Sequence, residues 1–365
     1  MMAFVALMST AQTKPASVFL TAGQSNADGR VYVDELPTYL RNGYQYLNYA
    51  NVTSECNGRF SSRTFEAGTR YAFCDITNYF IEKALQQPFY AVKCTYGGTA
   101  IAIGATADKL PVWYAGEPWI SENNAYRGDI TTGKSLTKSL TEGFAQLVDV
   151  TLSKLEQGYD VKAIMWHQGE SDRNAANAYY ENFKTMIAYM RNAIYEKTGD
   201  EADKTLPFIF GTICRNSTQY NAGIEKAQLQ VAKDVANVYY IDMSDVTLRS
   251  DNLHFDAAST EYLGKMMYNK LVELSLVDGE QVEAVKPTNG GIGDIDVEAE
   301  RLWDFTKEWS VASVDSLKAD ATYWVPLKSW GYRLSTAMPK MQELQTATGY
   351  VFPETAGLYF NSGSG

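Results

Sequence analysis

Ser25 stands in "GQSN", a cluster of turn-forming residues directly behind the strand-like run "SVFLTA" at 17–22. A serine in such a loop more often caps a helix than attacks a bond, so its meaning depends on what else the chain supplies. An acyl-transfer site needs a nucleophilic hydroxyl, a base to take its proton, a group to orient that base, and donors for the developing oxyanion. The chain has two histidines, His167 and His254, so the choice of base is narrow. In "SDNLHFD" (250–256) His254 follows Asp251 by three residues, a spacing at which one bend can point both side chains to the same side. Asp251 can then accept from one ring nitrogen while the other faces Ser25. The oxyanion donors expected are the amide of Ser25, an amide of Gly97 or Gly98 in "YGGTA" (96–100), and the side-chain amide of Gln168 in "HQGESD" (167–172). Glycine suits the second of these places because backbone without a Cβ can approach a substrate closely.

These residues need a frame that brings them together. Runs that read as strands lie at 17–22, 89–96, 161–167, 207–214 and 237–244, and amphipathic helical patterns fall near 68–86, 135–157, 175–198, 222–236 and 257–276. Apolar strands separated by helices long enough for crossovers predict a parallel five-stranded sheet, covered on both faces and joined by right-handed connections. "GQSN", "YGGTA" and "HQGESD" follow the first three strands, and "SDNLHFD" follows the fifth, just before the last helix. All four clusters are thus expected at the carboxyl edge of the sheet, where ligands bind in such folds.

Other chemistries compete for the same residues. A metal site from His167, Glu170 and Asp172 is conceivable, but hydrolytic zinc sites usually use two or three imidazoles. An α/β-hydrolase would carry its nucleophile in G-x-S-x-G, whereas Ser25 is followed by Asn26 and Ala27. The stretch "KLPVWYAGEPWISENNAYRG" (109–128) holds Trp113, Tyr114 and Trp119; a loop of this length tends to be functional, and aromatic faces suit a carbohydrate substrate. The bland alternative is that these rings pin the loop to the surface.

Composition narrows the partners. With 365 residues, 45% apolar and 21% charged, the chain has ample material for a buried core. A net charge of −11 argues against nucleic acid and anionic membrane as partners, and no apolar run reaches the roughly 20 residues of a membrane span. The start, "MMAFVALMSTAQTK", reads as the remnant of a signal peptide over residues 1–12, an apolar stretch ending in small residues without the usual basic start. Export to the periplasm or outside would permit disulfides among Cys56, Cys74, Cys94 and Cys214, although free buried thiols fit the sequence equally well. Acidic, Gly- and Pro-marked sequence over 280–300 reads as a linker, and residues 301–365 as a partial C-terminal module with strand-like runs. Nothing in the sequence speaks to oligomeric state.

The set "GQSN", "GGT", "WHQGESD" and "DNLH", in this order, resembles the SGNH hydrolase superfamily, and within it the group containing sialate O-acetylesterases and family-six carbohydrate esterases. The resemblance spans roughly residues 15–278. It implies a flavodoxin-like three-layer α/β/α fold and a serine esterase mechanism that needs no cofactor and no metal. It carries Ser25 over as nucleophile, His254 as general base, Asp251 as its orienting partner and Gly97 or Gly98 as an oxyanion donor. Where the wider superfamily has asparagine in the third block this chain has Gln168, and Glu170 of the same "QGES" signature takes a supporting hydrogen-bond role. The segment from 301 resembles the opening of modules attached to pectin- and xylan-degrading enzymes of gut bacteria. The expectation is therefore an O-acetylesterase of plant cell-wall glycans, with a sialate O-acetylesterase as the alternative. A carbohydrate-binding protein on a degenerate hydrolase scaffold is the alternative without catalysis.

Overall fold

Strand β1 (Ala16–Gly23) sends Val18, Leu20 and Ala22 into one hydrophobic layer and Phe19 into another. That alternation is the two-residue period of a strand buried on both faces. β6 (Tyr159–His167) and β7 (Phe208–Gly211) repeat it: Ile164, Trp166, Phe208 and Phe210 face the first layer, Ala163, Met165 and Ile209 the second. Together with β3 (Leu47–Asn51), β5 (Phe89–Thr95) and β8 (Val238–Ile241) they form one parallel sheet in the order β3-β5-β1-β6-β7-β8. The register pairs Val18 with Tyr90 and Ala22 with Trp166.

The first layer is closed by α4 (Leu140–Leu152), α5 (Ala176–Thr198) and α6 (Ala222–Asp234), through Phe144, Phe183, Met186 and Ile224 among others. The second is closed by α2 (Phe73–Leu85) and α7 (Ala257–Glu273), through Phe73, Ile81, Leu263 and Met267. Two short strands, β2 (Val31–Tyr32) and β4 (Arg70–Tyr71), pair antiparallel outside the sheet. Short helices α1 (Ser25–Asp28) and α3 (Trp119–Asn123) complete the frame. From β1 the chain builds outward to β5 and β3 on one side and to β6, β7 and β8 on the other. The carboxyl ends of β1, β5 and β6 therefore enclose the crevice that a switch in strand order creates.

This is a three-layer α/β/α architecture with six strands rather than five. The additional edge strand β3 is held by a side chain: the Glu82 carboxylate accepts from the backbone N–H groups of Gln45, Tyr46 and Leu47 at 2.7–3.2 Å. Two asparagines within five residues hide it from a hydrophobic pattern.

The computed structural model describes residues 14–51, 60–107, 110–123 and 138–288, and strands at 323–327, 330–334, 345–346, 349–350 and 358–361. The leader reading for residues 1–12, Cys56 and most of the linker lie outside the described residues. The chain divides into two units between Lys286 and Pro287. Residues 280–286, expected in the linker, are instead fastened to the first unit. Tyr268 Oη donates to the Glu280 carbonyl, Asn269 exchanges two hydrogen bonds with Val282, and Lys286 pairs with Asp242 and Asp245. In the second unit Tyr323–Leu327, Trp330–Leu334 and Leu358–Asn361 form a three-stranded antiparallel sheet, and Gln345–Thr346 pairs with Gly349–Tyr350.

Candidate active site

β1 ends in Gly23 with φ of +134°, where an added Cβ would lie 2.2 Å from the His167 carbonyl. Only glycine allows that approach, and Gln24 N–H then donates to the same carbonyl at 2.9 Å. The loop carrying the serine is thus pinned to the end of β6. Ser25 opens α1, whose turn is closed by the N–H groups of Ala27 and Asp28 on the Gln24 carbonyl. N–H groups in a first turn have no acceptor within the helix, so the Ser25 amide is available to a ligand. The serine itself is 5% exposed.

His254, the expected base, is held in the turn before α7. Arg249 N–H donates to the His254 carbonyl at 2.8 Å, and Asn252 takes a left-handed φ of +52° to close the bend. Asp251 then accepts three bonds: its Oδ1 from the N–H of Leu253 (2.9 Å) and of His254 (3.0 Å), its Oδ2 from His254 Nδ1 at 2.7 Å. Partial burial opposes the Asp251 charge, but the backbone N–H and ring of His254 and the N–H of Leu253 outweigh it and hold the carboxyl below its usual range. With Nδ1 donating to that carboxylate, Nε2 is left as the lone-pair nitrogen, which is the state a general base requires. Asp256 caps α7 by accepting from Ser259 N–H at 2.8 Å and so anchors the far side of the turn.

Asn26, to which sequence reasoning gave no role, joins these two pieces. Its Oδ1 accepts from Phe255 N–H at 3.0 Å and its Nδ2 donates to Glu170 Oε1 at 3.0 Å. The neighbour of Ser25 is thereby tied to the neighbour of His254. Glu170 is fully buried, and its Oε1 also receives His167 Nε2 at 2.9 Å, while His167 Nδ1 faces the Gly211 carbonyl at 3.1 Å. Burial works against the Glu170 charge, yet His167 and Asn26 hold the carboxyl below its usual range. The supporting role expected of Glu170 is therefore concrete: it grips Asn26.

Gly97 lies beside the serine, since a Cβ built on it would be 3.7 Å from Ser25 Cβ. Gly98 has φ of +75°, a left-handed conformation that favours glycine. Gln168 does not join them. It is fully buried; its Nε2 donates to Asp172 Oδ2 at 2.6 Å and to the Thr99 carbonyl at 3.2 Å, and its Oε1 receives Tyr179 Oη at 3.1 Å. Both amide protons are spent, which corrects its expected place in the oxyanion hole. Its work is to hold the glycine loop, in company with Asp172, whose Oδ2 and Oδ1 accept from Ile101 N–H (2.7 Å) and Ala102 N–H (2.8 Å). Burial pushes the Asp172 carboxyl up to about 6, against the pull of those donors.

The three residues of the metal reading are committed to these bonds, and among the described residues no cluster of His, Cys, Asp and Glu has a metal-holding arrangement. Trp113, expected against substrate, is a core residue: it is fully buried, donates from Nε1 to Thr99 Oγ1 at 3.0 Å and packs edge-on to Trp166. Tyr114 and Trp119 are partly buried, and among the described residues no hydrogen bond or ring contact joins them to Ser25 or His254. Cys74, Cys94 and Cys214 are buried free thiols whose pKa values burial pushes up to about 11, 12 and 11.

A family model described as "Carbohydrate esterase, sialic acid-specific acetylesterase" matches residues 15–273. A "Probable carbohydrate esterase" of Arabidopsis thaliana is 29% identical over 124 residues, 33% of this chain and 44% of that relative's length. A solved Arabidopsis thaliana structure superimposes with a TM-score of 0.50 at 20% identity, covering 71% of this chain and 99% of that one. A carbohydrate acetylesterase from Xanthomonas citri gives 0.43 at 19% identity, over 70% of this chain and 55% of that one. The Arabidopsis structure shares the fold, and the family match covers the whole sheet together with Ser25, Asp251 and His254. The chain belongs to the carbohydrate esterase family of sialic acid-specific acetylesterases.

Proposed function

We propose that this protein is an exported carbohydrate O-acetylesterase that removes acetyl groups from plant cell-wall polysaccharide. The observation that carries the catalytic reading is the Asp251–His254 pair at 2.7 Å, with the nucleophile's neighbour Asn26 bonded to Phe255 beside it. Ser25 Oγ attacks the acetyl carbonyl while His254 Nε2 takes its proton. The Ser25 amide and an amide of the Gly97–Gly98 loop hold the oxyanion, and Asp251 steadies the imidazolium. His254 then passes the proton to the departing sugar oxygen. Water, deprotonated by the same nitrogen, attacks the acyl-enzyme and releases acetate.

With Trp113 in the core, the polysaccharide part of this reading rests on Tyr114, Trp119 and the C-terminal segment. The description of the matching family favours a second reading, a sialate O-acetylesterase. Acetate release across acetylated xylan, acetylated pectin and O-acetylated sialic acid separates the two. Ser25→Ala is expected to reduce turnover of an aryl acetate to background while the fold persists, and a serine-directed phosphonate to label the wild type once. Glycan binding without acetate release would instead make the protein a carbohydrate-binding one on a degenerate scaffold.

A further inference from the structure

Arg30 is a charged residue beside the serine loop that the proposed reaction leaves unused. Its Nη1 is committed, donating to Asp28 Oδ2 and to the Gly29 carbonyl, each at 2.6 Å. Asp28 is itself fixed, since its Oδ1 receives Thr95 Oγ1 at 3.0 Å and its carbonyl receives the buried Lys93 Nζ at 2.7 Å. The guanidinium is therefore held in place by one of its two amino groups. Nη2 and Nε donate to nothing among the described residues, although the side chain is only 21% exposed.

The free amino group lies near Ser25. A Cβ built on Gly97 would be 2.1 Å from Arg30 Nη2 and 3.7 Å from Ser25 Cβ, which places those two atoms within the 5.8 Å that the distances add up to. Unlike Gly98, Gly97 has no left-handed φ, and the guanidinium tip occupies the space where a side chain at residue 97 would begin. An anchored guanidinium with unspent N–H groups is a pre-organised donor for an oxygen that arrives with a ligand.

We propose that Arg30 is a specificity residue, its Nη2 donating to a sugar oxygen next to the acetylated position, a vicinal hydroxyl of the ring. The inference rests on the acetylesterase reading above. An acetyl ester poised on Ser25 projects its sugar from the alkoxy oxygen, so ring oxygens one carbon away fall within reach of a group this close to Ser25 Cβ. An aryl acetate has no such oxygen.

The test compares wild type, Arg30→Gln and Arg30→Lys on p-nitrophenyl acetate and on an acetylated xylo-oligosaccharide or O-acetylated sialic acid, whichever the wild type hydrolyses. In Arg30→Gln the ratio of kcat/KM for the sugar ester to that for the aryl ester should fall about ten- to a hundredfold, chiefly through KM, as loss of a charged hydrogen bond predicts. Arg30→Lys, which keeps the charge but not the fork, should recover part of that ratio. An unchanged ratio overturns the inference, whether both activities stay high or both fall together; the latter would make Arg30 a part of the oxyanion site or of the fold. A wild type that hydrolyses neither ester overturns the acetylesterase reading, and this inference with it.

Discussion

Replacing Asn26 by alanine should damage catalysis more than the loss of one surface contact would, because the loops carrying Ser25 and His254, catalytic on the proposed mechanism, meet on its side chain. The substitution removes the neutral bond from Phe255 N–H and the charged one to Glu170 Oε1. A neutral bond contributes about 1 kcal/mol and one to a carboxylate about 1.5–3 kcal/mol, so a loss of roughly 2.5–4 kcal/mol is expected in urea unfolding. Glu170 makes the upper end the better figure. Its Oε2 is already buried without a partner among the described residues, so a lost donor on Oε1 leaves a fully buried carboxylate with His167 as its one side-chain donor. The kinetic effect follows from position: misplacing a base by about 1 Å can cost on the order of a hundredfold. kcat on p-nitrophenyl acetate should therefore fall by ten- to a hundredfold, with KM changed little. Asn26→Asp sharpens the test. It keeps an acceptor for Phe255 but sets a carboxylate against Glu170 across the present 3.0 Å contact, so one of the two must take a proton. Its activity should recover relative to wild type as pH is lowered from 8 towards 6. A stable Asn26→Ala protein with wild-type kcat would refute the strap, and so would an Asn26→Asp enzyme whose ratio to wild type is flat with pH.

Gln168→Ala should destabilise the fold by about 2–4 kcal/mol, because Asp172 loses a donor and Tyr179 Oη an acceptor in a fully buried site; a hundredfold fall in kcat at unchanged stability would instead return Gln168 to the oxyanion hole. Asp172 has its carboxyl raised from 3.8 to about 6 by burial, so the folded state binds the proton more tightly than the unfolded chain. Stability from this group is then complete below pH 4 and declines as pH rises to about 6. The stability difference between wild type and Asp172→Asn should accordingly shrink by about 3 kcal/mol between pH 4 and 7, and a constant difference in paired urea titrations would contradict the assignment.

What the sequence made legible is what period and spacing encode. Five of the six sheet strands are apolar runs, and the small polar clusters that follow four of them lie at one edge because a parallel sheet brings all its carboxyl ends together. The Asp251–His254 pair was legible for a local reason: three residues of one turn suffice to form it. What stayed hidden depends on side chains reaching across 30 to 230 residues. β3 is held by Glu82, and Asn26 meets both Phe255 and Glu170. Trp113 misled for a related reason, since an aromatic-rich loop looks the same in sequence whether its rings face a sugar or, as here, Thr99 and Trp166.

Gln168 and Arg30 show how the missing tertiary contacts change a chemical assignment. An amide placed after a strand end satisfies the requirement for an oxyanion donor in sequence, but whether it donates to a ligand depends on which acceptors the fold leaves it. Here Asp172 and Thr99 take both of its protons. Arg30 is the reverse case: five residues past the serine, its spacing suggested no chemistry, yet Asp28 fixes one amino group and the other lies beside Gly97. On the proposed mechanism the Gly97–Gly98 loop would serve two neighbours at once, offering backbone to the oxyanion and bordering the Arg30 guanidinium. A substitution at residue 97 would therefore disturb both the acyl and the sugar side of the ester, whereas one at residue 30 should disturb the sugar side first.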